Sequence, residues 1–90
     1  MNNYYENSII TTVKTLHVDV SENLFNAICD SDLSTYCENG SYVSVGFEDL
    51  ENEIFDVKEP NLREFLEIGI RIAQCNNCNE ITFELKTGMR

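Results

Sequence analysis

Residues 46–60, GFEDLENEIFDVKEP, decide how the whole chain is read. Six carboxylates (Glu48, Asp49, Glu51, Glu53, Asp56 and Glu59) share this stretch with one cation, Lys58. Just before it, Val43, Val45 and Phe47 alternate with Ser44 and Gly46, so residues 41–47 read as a strand with one buried face. EDLEN then reads as a turn and EIFDVK as a further short strand. Alternate strand residues project to one face about 6.6 Å apart. Glu51 and Glu53 are thus expected to stand in a row beside Glu48 and Asp49, on an exposed acidic hairpin.

Upstream, IITTVKTLHVDV (9–20) is rich in β-branched residues, and Leu16, Val18 and Val20 alternate with His17 and Asp19. One long strand is predicted there, half-buried at its end. Ser21 stands where a serine caps a helix, and Leu24, Phe25, Ile28 and Cys29 share a helical face behind it. Residues 33–38 admit two readings. They extend this helix to a C-cap at Asn39-Gly40, or they form a strand joined to residues 41–47 by a type I′ Asn-Gly turn; the hairpin is the preferred reading, because CDSDLST is a poor helix former.

Downstream, NLREFLEIGIRIAQ is the clearest helix. Asn61 and Glu64 form the expected capping box, Arg63, Glu67 and Arg71 a charge ladder, and Asn76-Asn77 the stop. Leu62, Phe65, Leu66, Ile68, Ile70, Ile72 and Ala73 cover most of the remaining circumference, which predicts deep burial. ITFELK then alternates as a last strand. The fold class expected is α+β: a mostly antiparallel sheet of four or five strands with two helices on one face, in the ferredoxin-like βαββαβ order or a close variant. Ninety residues make a single domain spanning 1–90.

Charge is the compositional outlier, at 6 − 16 = −10. A chain of this length has a radius of gyration of roughly 12 Å and a diameter of about 30 Å. Duplex DNA of that length carries about 18 phosphate charges, so the protein carries over half the net charge of the segment it would displace. Direct binding to nucleic acid or to an anionic membrane is disfavoured. No apolar run approaches a membrane span, and MNNYYENS has neither a basic end nor an apolar stretch, so a cytoplasmic location is expected.

Catalytic and metal chemistries find little footing. Cys75 and Cys78 form one C-x-x-C, and Cys29 and Cys37 complete a set of four thiols, but structural zinc normally uses two such pairs. The C-x-x-C also follows a helix, where the dipole opposes thiolate formation. Reduced thiols are expected, with Cys29 in the core. His17 and Asp19 share a strand face, and nothing marks a neighbouring nucleophile as activated. Asp30-Ser31-Asp32, with Glu38 eight residues after Asp30, lacks the pattern of a calcium loop, and none of the four glycines makes a phosphate-binding loop. No enzyme and no cofactor are expected.

Six like charges repel one another, a cost that is reasonable where a surface must attract a basic partner quickly. The expected function is that of a small acidic inhibitor docked on the basic, nucleic-acid-binding surface of a nuclease, defence effector or toxin, as a nucleic-acid mimic. In type this is similar to phage anti-defence (anti-CRISPR) proteins and toxin-immunity proteins; no motif ties the chain to a named family. The expected partner-binding residues are Glu48, Asp49, Glu51, Glu53, Asp56, Glu59 and Tyr42, with Tyr4, Tyr5 and Phe47 as further aromatic candidates, Phe47 more as core rim. The alternatives are a self-associating subunit (a homodimer) using a sheet edge, and a zinc or redox module built on Cys29, Cys37, Cys75 and Cys78.

Overall fold

The alternations in TLHVDV, YVSVG and EITFEL are carried out by the backbone as three adjacent strands whose inward residues fall in register. The structure is a computed structural model that describes residues 5, 8–12, 14–31, 33, 35–36 and 42–85. Its elements are β1 (Ile9–Ile10), β2 (Thr15–Val20), α1 (Glu22–Asp30), β3 (Thr35–Tyr36), β4 (Tyr42–Gly46), α2 (Phe47–Glu53), a 3-10 turn (Ile54–Asp56), α3 (Pro60–Cys75) and β5 (Glu80–Leu85). The strands form one sheet in the order β1-β2-β5-β4-β3. β2 and β5 are parallel, and the other pairs are antiparallel.

Leu16, Ile81 and Val45 make one row across β2, β5 and β4, and Val18, Phe83 and Val43 make the next. All six are buried, and Phe25, Ile28, Leu50, Ile54, Leu62, Phe65, Leu66 and Ala73 pack with them from the helical segments. The class is α+β, with helices on this face of a mixed sheet. The radius of gyration is 12.0 Å, the value that chain length alone implies for a compact fold.

Among the described residues three helices are present rather than two, and the sheet is not purely antiparallel, so the ferredoxin-like order is not confirmed. The physical reason is parity of direction. With the strand expected at 53–58 replaced by helix, β5 is the strand that lies between β2 and β4; it runs against β4, which points opposite to β2, and so runs parallel to β2.

The acidic hairpin is a correction. Residues 47–53 are helical and 54–56 form a 3-10 turn, with no strand at 53–58. Phe47, Leu50, Ile54 and Val57 are spaced three, four and three apart, a helical period. On a strand Ile54 and Val57 would face opposite ways; here both are buried, and the intervening Phe55 is 73% exposed.

Residues 9–20 are not one strand either. The main chain turns back between β1 and β2: Thr11 N–H donates to the Thr15 carbonyl at 3.0 Å, and Lys14, at φ 63°, donates to the Thr11 carbonyl at 3.0 Å. β-Branched content signals extended backbone but does not say that it is continuous. The second predicted hairpin forms, with Tyr36 opposite Ser44. The type I′ Asn39-Gly40 turn expected between the two strands lies outside the described residues.

Both major helices begin at side-chain caps. Ser21 Oγ accepts from Leu24 N–H at 3.3 Å, as the sequence predicts. For α3 the cap is not Asn61. Glu59 takes the position, its two carboxylate oxygens accepting from Asn61 N–H at 3.1 Å and Leu62 N–H at 2.8 Å, with Pro60 as first helical residue. The buried stripe of α3 is Leu62, Phe65, Leu66, Gly69 and Ala73, while Ile68, Ile70 and Ile72 are half-buried. Of the predicted ladder, Arg63–Glu67 closes at 3.4 Å.

Candidate interaction surface

Glu48, Asp49 and Glu51 stand exposed on α2, Glu53 is half-buried at its end, Asp56 is exposed at the close of the 3-10 turn, and Glu59 caps α3. A helix advances 100° per residue. Glu48 and Asp49 therefore point away from the Phe47–Leu50–Ile54 stripe, and Glu51 and Glu53 flank that outward face on opposite sides. The expected row of Glu51 and Glu53 does not exist.

Part of the acid density has a local cause. Glu48 and Asp49 lie in the first turn of α2, where the helix dipole favours negative charge, and Glu59 satisfies two backbone donors. Glu51 has no such role, and Asp56 belongs to a single 3-10 turn of three residues, too short to build a macrodipole. Among the described residues, no cation pairs with Glu48, Asp49, Glu51 or Asp56.

Tyr42 does not join this group. It opens β4 and points to the other face of the sheet, in register with Glu84. With Thr15, His17, Ser44 and Thr82 it lines a trough of about 400 Å³ on the face away from the helices. Thr15, Ser44 and Thr82 are buried there, and the Ser44 and Thr82 hydroxyls share a hydrogen bond of 2.8 Å. These hydroxyls were absent from the sequence expectation, since small polar residues on a strand carry no signal of their own. His17 sits in the same row as Thr82 and Ser44. Among the described residues no hydrogen bond links it to that pair or to Asp19, so nothing orients the imidazole as a base.

Tyr5 is not a displayed anchor. It stacks on Phe65 with ring centroids 5.2 Å apart, and its hydroxyl donates to the Phe65 carbonyl at 2.8 Å. Burial pushes its phenol far above the ordinary value. Phe47 packs against the core, and Tyr4 lies outside the described residues. The exposed aromatic of the acidic segment is Phe55, whose ring lies 5.4 Å from the Arg63 guanidinium. It falls outside the helical stripe, which is the sequence signal that would have found it.

The C-x-x-C has a backbone explanation. Cys78 N–H donates to the Ala73 carbonyl at 2.8 Å and Asn77 N–H to the Gln74 carbonyl at 3.3 Å, with Asn77 at φ 57°. This is the Schellman helix stop, whose second residue beyond the cap makes an apolar contact back to the helix. Cys78 fills that role and is buried, whereas Cys75 is exposed. Cys29 is also exposed, against the core placement expected, because the face of α1 that turns inward is carried by Phe25 and Ile28, with Leu24 and Ala27 at its margin. Cys37 lies outside the described residues, as does Asp32. Among the described residues no group of three or more histidine, cysteine or acidic side chains is placed to hold a metal ion, and no helix is long and apolar enough to cross a membrane.

No family model, curated protein or solved structure matches the chain.

Proposed function

We propose that this protein is a non-catalytic inhibitor that meets a basic, nucleic-acid-binding surface of another protein with its α2 and 3-10 segment. The observation that carries the reading is the exposure of Glu48, Asp49, Glu51 and Asp56 without a paired cation among the described residues, in a chain of net charge −10. Such a surface accelerates encounter with a cationic partner by roughly 10- to 1,000-fold at low salt. Helical presentation spreads the carboxylates over a convex face, which suits a groove that otherwise receives a phosphate backbone.

Capture from lysate at low and high salt, read by mass spectrometry, tests this. A basic partner retained at low salt and released at high salt is expected. The double variant Glu51→Lys/Asp56→Lys removes the two carboxylates without a capping or dipole role and should abolish retention with the fold intact. Retention equal to the parent would sink the assignment.

A second reading has one observation in its favour. Ile9 and Ile10, 62% and 40% exposed, sit on the edge strand β1, where another copy of the chain would add to the sheet. Concentration-dependent mass in light scattering, lost in Ile9→Lys, would select self-association instead.

A further inference from the structure

The acidic segment ends beside a groove. Between the C-terminal end of α1 and the N-terminal end of α3 lies a depression of about 370 Å³. Ala27, Val57 and Leu62 line it with hydrocarbon, the last two themselves buried. Asp30 and Asp56 stand exposed on the same groove from two different elements, and neither has an ion-pair partner among the described residues.

Negative potential converges here from independent sources. α1 ends on Asp30 with no basic residue in its last turn, so a carboxylate adds to the negative end of a helix dipole. Asp56 contributes a second charge. The N-terminus of α3 would oppose a cation, but Glu59 occupies its donors with both carboxylate oxygens. Among the described residues lining the groove, Lys58 is the one opposing charge.

We infer that this groove is the socket for an arginine side chain of the basic partner. The inference rests on the reading of the acidic segment given above and names the contact that segment makes. An arginine has an apolar stem and a weakly hydrated, planar head able to address two carboxylates at once. The stem lies along Val57 and Leu62, and the guanidinium reaches Asp30 and Asp56. The groove is at the small end of the roughly 300–1,000 Å³ typical of ligand sites, which suits one side chain. Arginines seated in this manner are common energetic centres of interfaces.

The test needs no knowledge of the partner. The isotope-labelled protein is titrated with N-acetyl-arginine methylamide and, separately, with the neutral isostere N-acetyl-citrulline methylamide, and amide shifts are followed by NMR. Saturable shifts clustered at Ala27, Asp30, Asp56, Val57 and Leu62 are expected with the arginine compound and none with citrulline. Affinity should fall at least threefold in Asp30→Asn and rise severalfold in Lys58→Ala. Ala27→Leu, which fills the groove without altering charge, should abolish the shifts, and native dispersion in the same spectra shows that each variant is folded. Shifts spread evenly over Asp19, Glu48, Asp49 and Glu51 without saturation would overturn the socket, as would equal shifts with citrulline or no shifts at all. Those results leave the acidic segment's reading to stand or fall on the Glu51→Lys/Asp56→Lys capture, so the two failures are distinguishable.

Discussion

Gly69 and Tyr5 show how a single position depends on one sixty-four residues away. A Cβ at Gly69 would overlap the Tyr5 hydroxyl, so glycine is held in mid-helix by a side chain from the start of the chain. Gly69→Ala alone should destabilise by about 1–3 kcal/mol through overpacking. In a Tyr5→Ala background the same change should stabilise by about 1 kcal/mol, the helix-propensity difference. Urea denaturation of the four proteins reads this reversal of sign; an equal effect in both backgrounds would refute the contact. The cysteines divide on the same scale. Cys75 should react with a thiol reagent in the native protein, while Cys78 reacts only on unfolding. Cys75→Ser should change stability by less than about 0.5 kcal/mol and Cys78→Ser should cost about 1–3 kcal/mol, because its hydroxyl would be buried against Ala73.

Among the elements, the helix ends were the most legible. Ser21 as cap of α1 and Asn76-Asn77 as stop of α3 depend only on neighbours within about four residues, and both stand as read. By residue type Asn61 is the better cap than Glu59, but Pro60 at the first helical position moves the start back. Segment 46–60 hides its helical period for a different reason. Its polar residues outnumber its apolar ones, so the three-four-three spacing of Phe47, Leu50, Ile54 and Val57 was obscured by Phe55, an aromatic that faces outward. The end of α1 supplies this scale's prediction. Asp30→Lys puts a cation at the negative end of the dipole and should raise the thermal midpoint, with a gain of about 0.3–1 kcal/mol. A lowered midpoint would refute the unfavourable placement of the Asp30 carboxylate at the negative end of α1.

At the scale of the whole molecule, charge sets the response to salt. Sixteen acids face six cations, and the Arg63–Glu67 ion pair is exposed. Added sodium chloride screens far more repulsion than attraction, since the Debye length falls from about 30 Å at 0.01 M to about 3 Å at 1 M. The thermal midpoint, followed by circular dichroism, should therefore rise across that range. A flat or falling midpoint would mean that the carboxylates are balanced within the fold, which would weaken the case for an external cationic partner. The open sheet face shares in this repulsion: Asp19 and Glu84 are direct neighbours across β2 and β5, an unfavourable pairing.

Sequence alone determined what short-range physics controls. The alternation of Leu16, Val18 and Val20 and of Ile81 and Phe83 set which faces are buried, the helical stripes of α1 and α3 set what covers them, and composition set the charge. Only the tertiary structure decided that β5 enters beside β2 in parallel, that Asp30 and Asp56 line one groove, and that Tyr42 faces away from the acidic segment. Each of these depends on segments far apart in the chain, and periodicity within a window of a few residues carries no information about which distant segment will arrive beside it.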